Sequence, residues 1–202
     1  MRRIGVLGGT FDPIHRGHLV VAHELIDRLR LTSLVLVPSG VPWHKEQPLA
    51  SGADRLAMVE LAIAGEPRLA VSDVDIARGG TTYTIDTLGD LQRDAGDDTD
   101  WWFITGADAL ADFGSWRDPA GILARAKVVG VSRPGYVLQA PHGFEDAIEI
   151  VELPSLDIAS SDIRRRVAAG ESLAGLVPDA VADYIATHRM YASARPSRAD
   201  AL

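Results

Sequence analysis

The chain has 202 residues, 47% of them hydrophobic, a size that suits one domain with a core of its own and needs no small-protein staple. Cysteine is absent, which excludes disulfides and thiolate metal sites and leads us to expect an intracellular, cytoplasmic setting. Lys and Arg number 20 against 28 Asp and Glu, a formal net charge of −8 that disfavours general nucleic-acid binding but still permits a small anion at a local basic cluster.

Residues 3–7 form an apolar run that predicts a first strand, too short for a signal peptide or a membrane span. It leads into Gly8-Gly9-Thr10-Phe11-Asp12-Pro13-Ile14-His15-Arg16-Gly17-His18-Leu19. Gly8 and Gly9 let the backbone approach a bulky anion closely. A helical pattern over 17–29 then brings the positive end of a helix dipole to the same place as the imidazoles of His15 and His18. The combination is a way to build a phosphate site without a metal or a nucleophile.

Further strands are expected at 34–38, 69–74, 101–105, 127–132 and 147–153, alternating with helices at 53–64, 83–95, 119–126, 161–169 and 179–187. The alternation predicts an α/β fold with a doubly wound, mostly parallel sheet and a small C-terminal helical part. In such sheets ligands bind beyond the carboxyl ends of the strands at a topological switch point, where the glycine-histidine string would lie. No internal repeat or linker is visible, so residues 1–191 are expected to form one domain. Residues 192–202 have weak apolar periodicity and are expected to be a disordered tail.

Several local patterns add candidates. In Ile158-Ala159-Ser160-Ser161-Asp162-Ile163-Arg164, the two serines are good N-cap residues, and Arg164 can aim a planar charged fork at the same helix start. Pro42-Trp43-His44-Lys45 follows the second strand in a Gly/Pro-rich loop and offers two cationic groups. Thr82-Tyr83-Thr84-Ile85-Asp86-Thr87-Leu88 reads as a capped helix start whose N–H groups could receive a carboxylate. Trp116 is either a stacking platform or a core residue. Asp108 is expected at a strand's carboxyl end, placed for hydroxyl contacts or for capping the next helix. Arg133 begins a Pro-Gly turn.

The string His15-Arg16-Gly17-His18 resembles the H-x-G-H hallmark of the nucleotidylyltransferase superfamily, and its GGTFDP flank resembles the bacterial nicotinate mononucleotide adenylyltransferase branch. The segment 158–164 is similar to that family's I-S-S-T-x-I-R, with Ala159 for the first serine and Ser161 for the threonine. The remaining patterns resemble its P-P-H-K, with Trp43 for a proline, and its T-Y-T-x-x-T-L, G-A-D-x-L and R-P-G-Y segments. The resemblance implies a Rossmann-like fold and in-line transfer of an adenylyl group from ATP to nicotinate mononucleotide, releasing pyrophosphate in NAD biosynthesis.

It further implies that His15, His18 and Arg164 are catalytic. Gly8, Gly9, Thr10, Phe11, Asp108, Arg133, Ser160 and Ser161 would contact ATP, and His44, Lys45, Thr84 and Trp116 would contact the pyridine nucleotide. Magnesium would arrive on the ATP phosphates, with no dedicated protein ligands. The expected partners are these two small molecules, with no nucleic acid and no membrane; a homo-oligomer is left open. H-x-G-H alone does not choose the acceptor, so phosphopantetheine or nicotinamide mononucleotide stay as alternatives, as does a nucleotide-sensing module without turnover. A dinucleotide-dependent dehydrogenase is disfavoured, because Gly5, Gly8, Gly9 and Gly17 do not give G-x-G-x-x-G.

Overall fold

The structure is a computed structural model and describes residues 1–42, 48–93, 95, 98–132, 139–154 and 157–192. Among these, the alternating apolar strands pair as a six-stranded sheet. Its strands in chain order are β1 (Arg2–Gly9), β2 (Ser33–Pro38), β4 (Leu69–Val71), β6 (Thr99–Gly106), β7 (Lys127–Ser132) and β8 (Ile148–Glu152). They lie in the order β4-β2-β1-β6-β7-β8, with every neighbouring pair parallel. The chain winds outward from β1 in one direction and, from β6, in the other, so the switch point falls between those two strands. Their register sets Leu7 beside Ile104, which brings the β1 end at Gly9 and the β6 end at Gly106 to the same edge of the sheet.

Strand periodicity distributes the core between two faces. Leu7, Leu34, Leu36, Ile104 and Val129 face one layer, packed by α1 (Arg16–Arg28), α2 (Gly52–Ala62), α7 (Ser160–Ala168) and α8 (Asp179–Thr187). Their neighbours Val6, Val37, Phe103 and Val128 face the other, where α4 (Thr84–Gln92), α5 (Ala107–Leu110) and α6 (Pro119–Arg125) pack. Two helix starts follow ordinary capping chemistry. The Ser51 hydroxyl accepts the Asp54 N–H at 3.1 Å for α2, and the Asp118 carboxylate accepts the Gly121 N–H at 2.9 Å for α6, with Pro119 in the first turn.

The expected doubly wound sheet is thus observed, and the six long helices lie within a few residues of their expected bounds. The third sheet strand is shorter than expected. It ends at Val71 rather than residue 74, because the chain turns at Asp73 into a five-residue helix, α3 (Val74–Arg78). A small parallel ribbon of β3 (Val41–Pro42) and β5 (Thr81–Thr82) was also not foreseen. Both additions lie beside the cleft described below.

Ile104 is fully buried on β6, at the centre of the sheet. Ile104→Ala should cost about 2–5 kcal/mol, the usual scale for a large-to-small change in a packed core. Urea denaturation measures it, and a loss under about 1 kcal/mol would show that the layer closes over the gap.

Candidate active site

Beyond the carboxyl end of β1 the chain runs through Thr10 to Ile14 before α1 begins. Phe11 takes a left-handed backbone, φ +50°, and tucks its ring beneath Gly9. A Cβ on Gly9 would lie only 2.6 Å from that ring, so this position has no room for a side chain. The Phe11 ring is buried and meets His18 edge-on at 5.1 Å between centroids. It shapes the floor from below.

His15 occupies the N-cap of α1 and His18 its third position. That spacing stacks the two imidazoles, with centroids 3.7 Å apart and planes inclined by 26°. The His15 backbone N–H donates to His18 Nδ1 at 3.2 Å. With Nδ1 serving as acceptor, the ring proton of neutral His18 belongs on Nε2, which makes that nitrogen a donor. Gly17 completes the geometry, since a Cβ there would stand 3.0 Å from His15 Nδ1.

Asp12 anchors this loop. Its carboxylate is 5% exposed and accepts the Leu49 N–H at 2.8 Å, the Ala50 N–H at 3.1 Å and the Tyr191 hydroxyl at 2.7 Å. Arg164 Nη1 donates to the Asp12 carbonyl at 2.7 Å and lies 3.9 Å from its carboxylate. Burial and the neighbouring carboxylate push the Tyr191 phenol well up, so it remains a donor. A second cation, the buried Arg55, donates to the Thr10 carbonyl at 2.8 Å and the Ser39 carbonyl at 2.6 Å, tying the β1 and β2 loops together. Burial pushes its guanidinium down, opposed by the charge of Asp12.

The two ends of the chain meet here. Ser160 and Arg164 stand one helical turn apart on α7, which is fixed to the core by buried Ile163. The Ser160 hydroxyl donates to the Pro13 carbonyl at 2.9 Å, beside the Arg164 contact to Asp12. The expected serine cap is not what forms. Ala159 is the N-cap, without a side-chain bond; Ser160 follows it and turns its hydroxyl to the loop, while Ser161 is exposed.

On the other side of β1 a cleft enclosing about 840 Å³, partly open to solvent, is lined by Gly8, Gly9 and Thr10 together with Asp75, Thr82, Tyr83, Thr84, Thr87, Trp116 and Arg117. Trp116 is half-buried and stands edge-on to Phe103 at 6.0 Å and tilted against Phe113 at 5.2 Å. It is neither a fully buried core residue nor a free one. Arg117 lies over the Tyr83 ring, 4.9 Å from its centroid. The expected threonine cap of α4 is also absent. Tyr83 is the N-cap without a side-chain bond, and the Thr82 hydroxyl instead accepts the Gly40 N–H at 3.1 Å.

The backbone of Asp108 lies in α5, directly after β6. Trp43, His44, Lys45 and Arg133 lie outside the described residues. Asp12, Arg55, Asp75, Arg117 and Tyr191 were not singled out from sequence, although Asp12 stands inside the opening string and Arg117 beside Trp116. Among the described residues no group of three or more His, Asp or Glu is placed to hold a metal ion, and no helix is long and apolar enough to cross a membrane.

Comparison with known proteins fits this geometry. Residues 6–166 match the cytidylyltransferase-like family, a span that runs from β1 through α7. The chain is 48% identical over 186 residues to a probable nicotinate-nucleotide adenylyltransferase of Salinispora arenicola, covering 92% of this chain and 99% of that one. It is 47% identical over 202 residues to a protein of the same name from Corynebacterium glutamicum, with 98% and 91% covered. Among solved structures, the nicotinic acid mononucleotide adenylyltransferase of Plasmodium falciparum complexed with NaAD superposes with a TM-score of 0.74 at 18% identity, over 95% of this chain and 98% of that one. That likeness speaks to the fold.

Tyr191→Phe removes one donor from the buried Asp12 carboxylate and leaves the ring in place. It should lower stability by about 1.5–3 kcal/mol, the range for a hydrogen bond to a charged group, as read by urea denaturation. An unchanged midpoint would mean that the phenol contributes nothing to holding Asp12.

Proposed function

Because the chain belongs to the cytidylyltransferase-like family, and within it to the nicotinate-nucleotide adenylyltransferases, we infer that it transfers the adenylyl group of ATP to nicotinate mononucleotide. The products are nicotinate adenine dinucleotide and pyrophosphate, a step of NAD biosynthesis. The observation that carries this reading is the meeting, at one end of the sheet, of the Gly8–His18 loop with Arg164 on one side and the Thr84–Trp116 cleft on the other. The core flanks both faces of a single sheet, which supports taking residues 1–191 as one catalytic domain.

In the reaction, a phosphate oxygen of the mononucleotide attacks the α-phosphorus of ATP in line, and the bond to the β,γ-pyrophosphate breaks. No protein nucleophile takes part. Catalysis is positioning and charge stabilisation, because negative charge shifts onto the α-phosphate oxygens and the leaving group. The Nε2–H of His18 is the donor for the α-phosphate, its direction set by the bond at Nδ1. His15, stacked beneath it, shares the triphosphate contact.

Arg164 uses one nitrogen on the Asp12 carbonyl and has others for the β- and γ-phosphates. Ser160 and Ser161 begin a helix without a side-chain cap, so its first N–H groups are directed at anions. Gly8, Gly9, Thr10 and, through its backbone, Phe11 form the floor of the ATP site, and Asp108 and Arg133 serve its adenosine end. ATP enters as its magnesium complex, the ion held through phosphates and water.

The pyridine nucleotide occupies the Trp116 cleft. Its ring stacks on Trp116, and its acid group meets the uncapped N-terminus of α4 at Thr84, with His44 and Lys45 on its phosphate. The chain without cysteine suits a reducing compartment, and we place the reaction in the cytoplasm.

Mass spectrometry of products after incubation with ATP, magnesium and a panel of nicotinate mononucleotide, nicotinamide mononucleotide and phosphopantetheine tests the reading. Nicotinate adenine dinucleotide should dominate; no dinucleotide from the nicotinate form would overturn it. His18→Ala should lower kcat by roughly 100-fold or more, the scale for loss of one transition-state donor, and near-normal turnover would remove His18 from that role. Trp116→Ala should raise KM for the pyridine nucleotide and leave KM for ATP nearly unchanged. Equal effects on both would assign Trp116 to the core.

A further inference from the structure

The reaction as described makes no use of Asp75, an acid only 4% exposed that lines the cleft. Its Oδ1 accepts the Thr87 hydroxyl at 2.6 Å and Arg78 Nη1 at 3.0 Å. Arg78 continues to the carboxylate of Asp90, reached by Nε at 2.9 Å and also by Nη2. Thr87 and Asp90 both belong to α4, one turn apart, so α3 holds α4 by two neighbouring side chains, of which Thr87 lies in its first turn. The Thr87 hydroxyl also lies 3.2 Å from the carbonyl of Tyr83, the N-cap residue itself.

The backbone of Asp75 works on the opposite wall. Its carbonyl oxygen would stand 2.6 Å from a Cβ on Gly40, so the β2 loop passes in direct contact with it, and the Gly40 N–H donates to Thr82 at the end of β5. One residue thereby links the β2 loop, α3 and the first turn of α4. The arrangement is costly, since burial pushes the Asp75 carboxyl up despite the bonds from Thr87 and Arg78. An apolar side chain would suffice if only packing were needed.

We propose that Asp75 is a positioning residue that, through Thr87 and Arg78, fixes the N-terminus of α4 as receptor for the acid group of the pyridine nucleotide, and so sets affinity for that substrate and not for ATP. The inference rests on the reading of α4 given under the proposed function. Its reach is limited by geometry: the loop bearing His15 and His18 is anchored by Asp12 and Arg55, whose bonds go to residues 49, 50, 10, 39 and 40 and not to α4. Disturbing α4 therefore leaves the triphosphate contacts in place.

Steady-state kinetics with each substrate varied in turn test this on the wild type, Asp75→Ala and Asp75→Asn. Asp75→Ala should raise KM for nicotinate mononucleotide roughly ten-fold, the loss of one hydrogen bond to a charged group, with KM for ATP within about two-fold. Asp75→Asn keeps an oxygen that accepts the Thr87 hydroxyl and should recover most of the loss. Should Asp75→Ala fail to fold, Thr87→Val removes the same bond from the other partner and carries the same expectation. An unchanged KM, or equal rises for both substrates, would overturn the role of Asp75. A wild type that makes no dinucleotide from nicotinate mononucleotide would instead overturn the functional reading.

Discussion

A buried carboxylate is among the most costly groups a fold can hold unless its lone pairs are filled, and the loop after β1 depends on one whose lone pairs are filled. Asp12 is supplied by two backbone N–H groups from residues 49 and 50, by the Tyr191 phenol and by the nearby charge of Arg164. These partners come from three remote parts of the chain. None can shift far without leaving the charge unpaired, so the loop between Gly9 and His15 is held from several directions at once. The cost of burial is converted into rigidity at the place where a transition state needs donors that do not reorganise.

The sheet topology explains why this rigidity is useful where it lies. Parallel strands diverging from β1 and β6 leave a crevice at their carboxyl ends, and the helices that follow point their N-termini toward it. At α2 and α6 one early N–H group is met by a side chain, Ser51 and Asp118 respectively. By contrast, α4 and α7 begin after Tyr83 and Ala159, which supply no side-chain bond. What sequence reasoning took for caps, the hydroxyls of Ser160 and Thr82, bind the Pro13 carbonyl and the Gly40 N–H instead and fix loop positions.

Legibility followed the range of the interaction. The strands were readable because the central ones are covered on both faces and so appear as short apolar runs, and the glycine-histidine string because its glycines, histidines and helix start are contiguous. β4 was read three residues too long, since Ser72, Asp73 and Val74 carry no local sign that a five-residue helix begins there. Tyr191 lies 179 positions from the carboxylate it serves, and Arg55 lies in the middle of an amphipathic helix, where an arginine ordinarily faces water. Nothing local distinguishes either from a surface residue. Their roles exist only once the Asp12 loop is closed.

The cleft is consequently built from two walls with separate anchors that share β1. On the phosphate side, Asp12 with Arg164 and Arg55 secures the loop; on the pyridine side, Asp75 with Arg78 secures α4. Each wall uses a buried acid answered by an arginine that reaches beyond it, to backbone carbonyls in one case and to Asp90 in the other. Because packed elements shift as units, the walls are joined at two places: the Gly8–Thr10 floor, and the β2 loop, where Arg55 reaches the Ser39 and Gly40 carbonyls and Gly40 meets the Asp75 carbonyl.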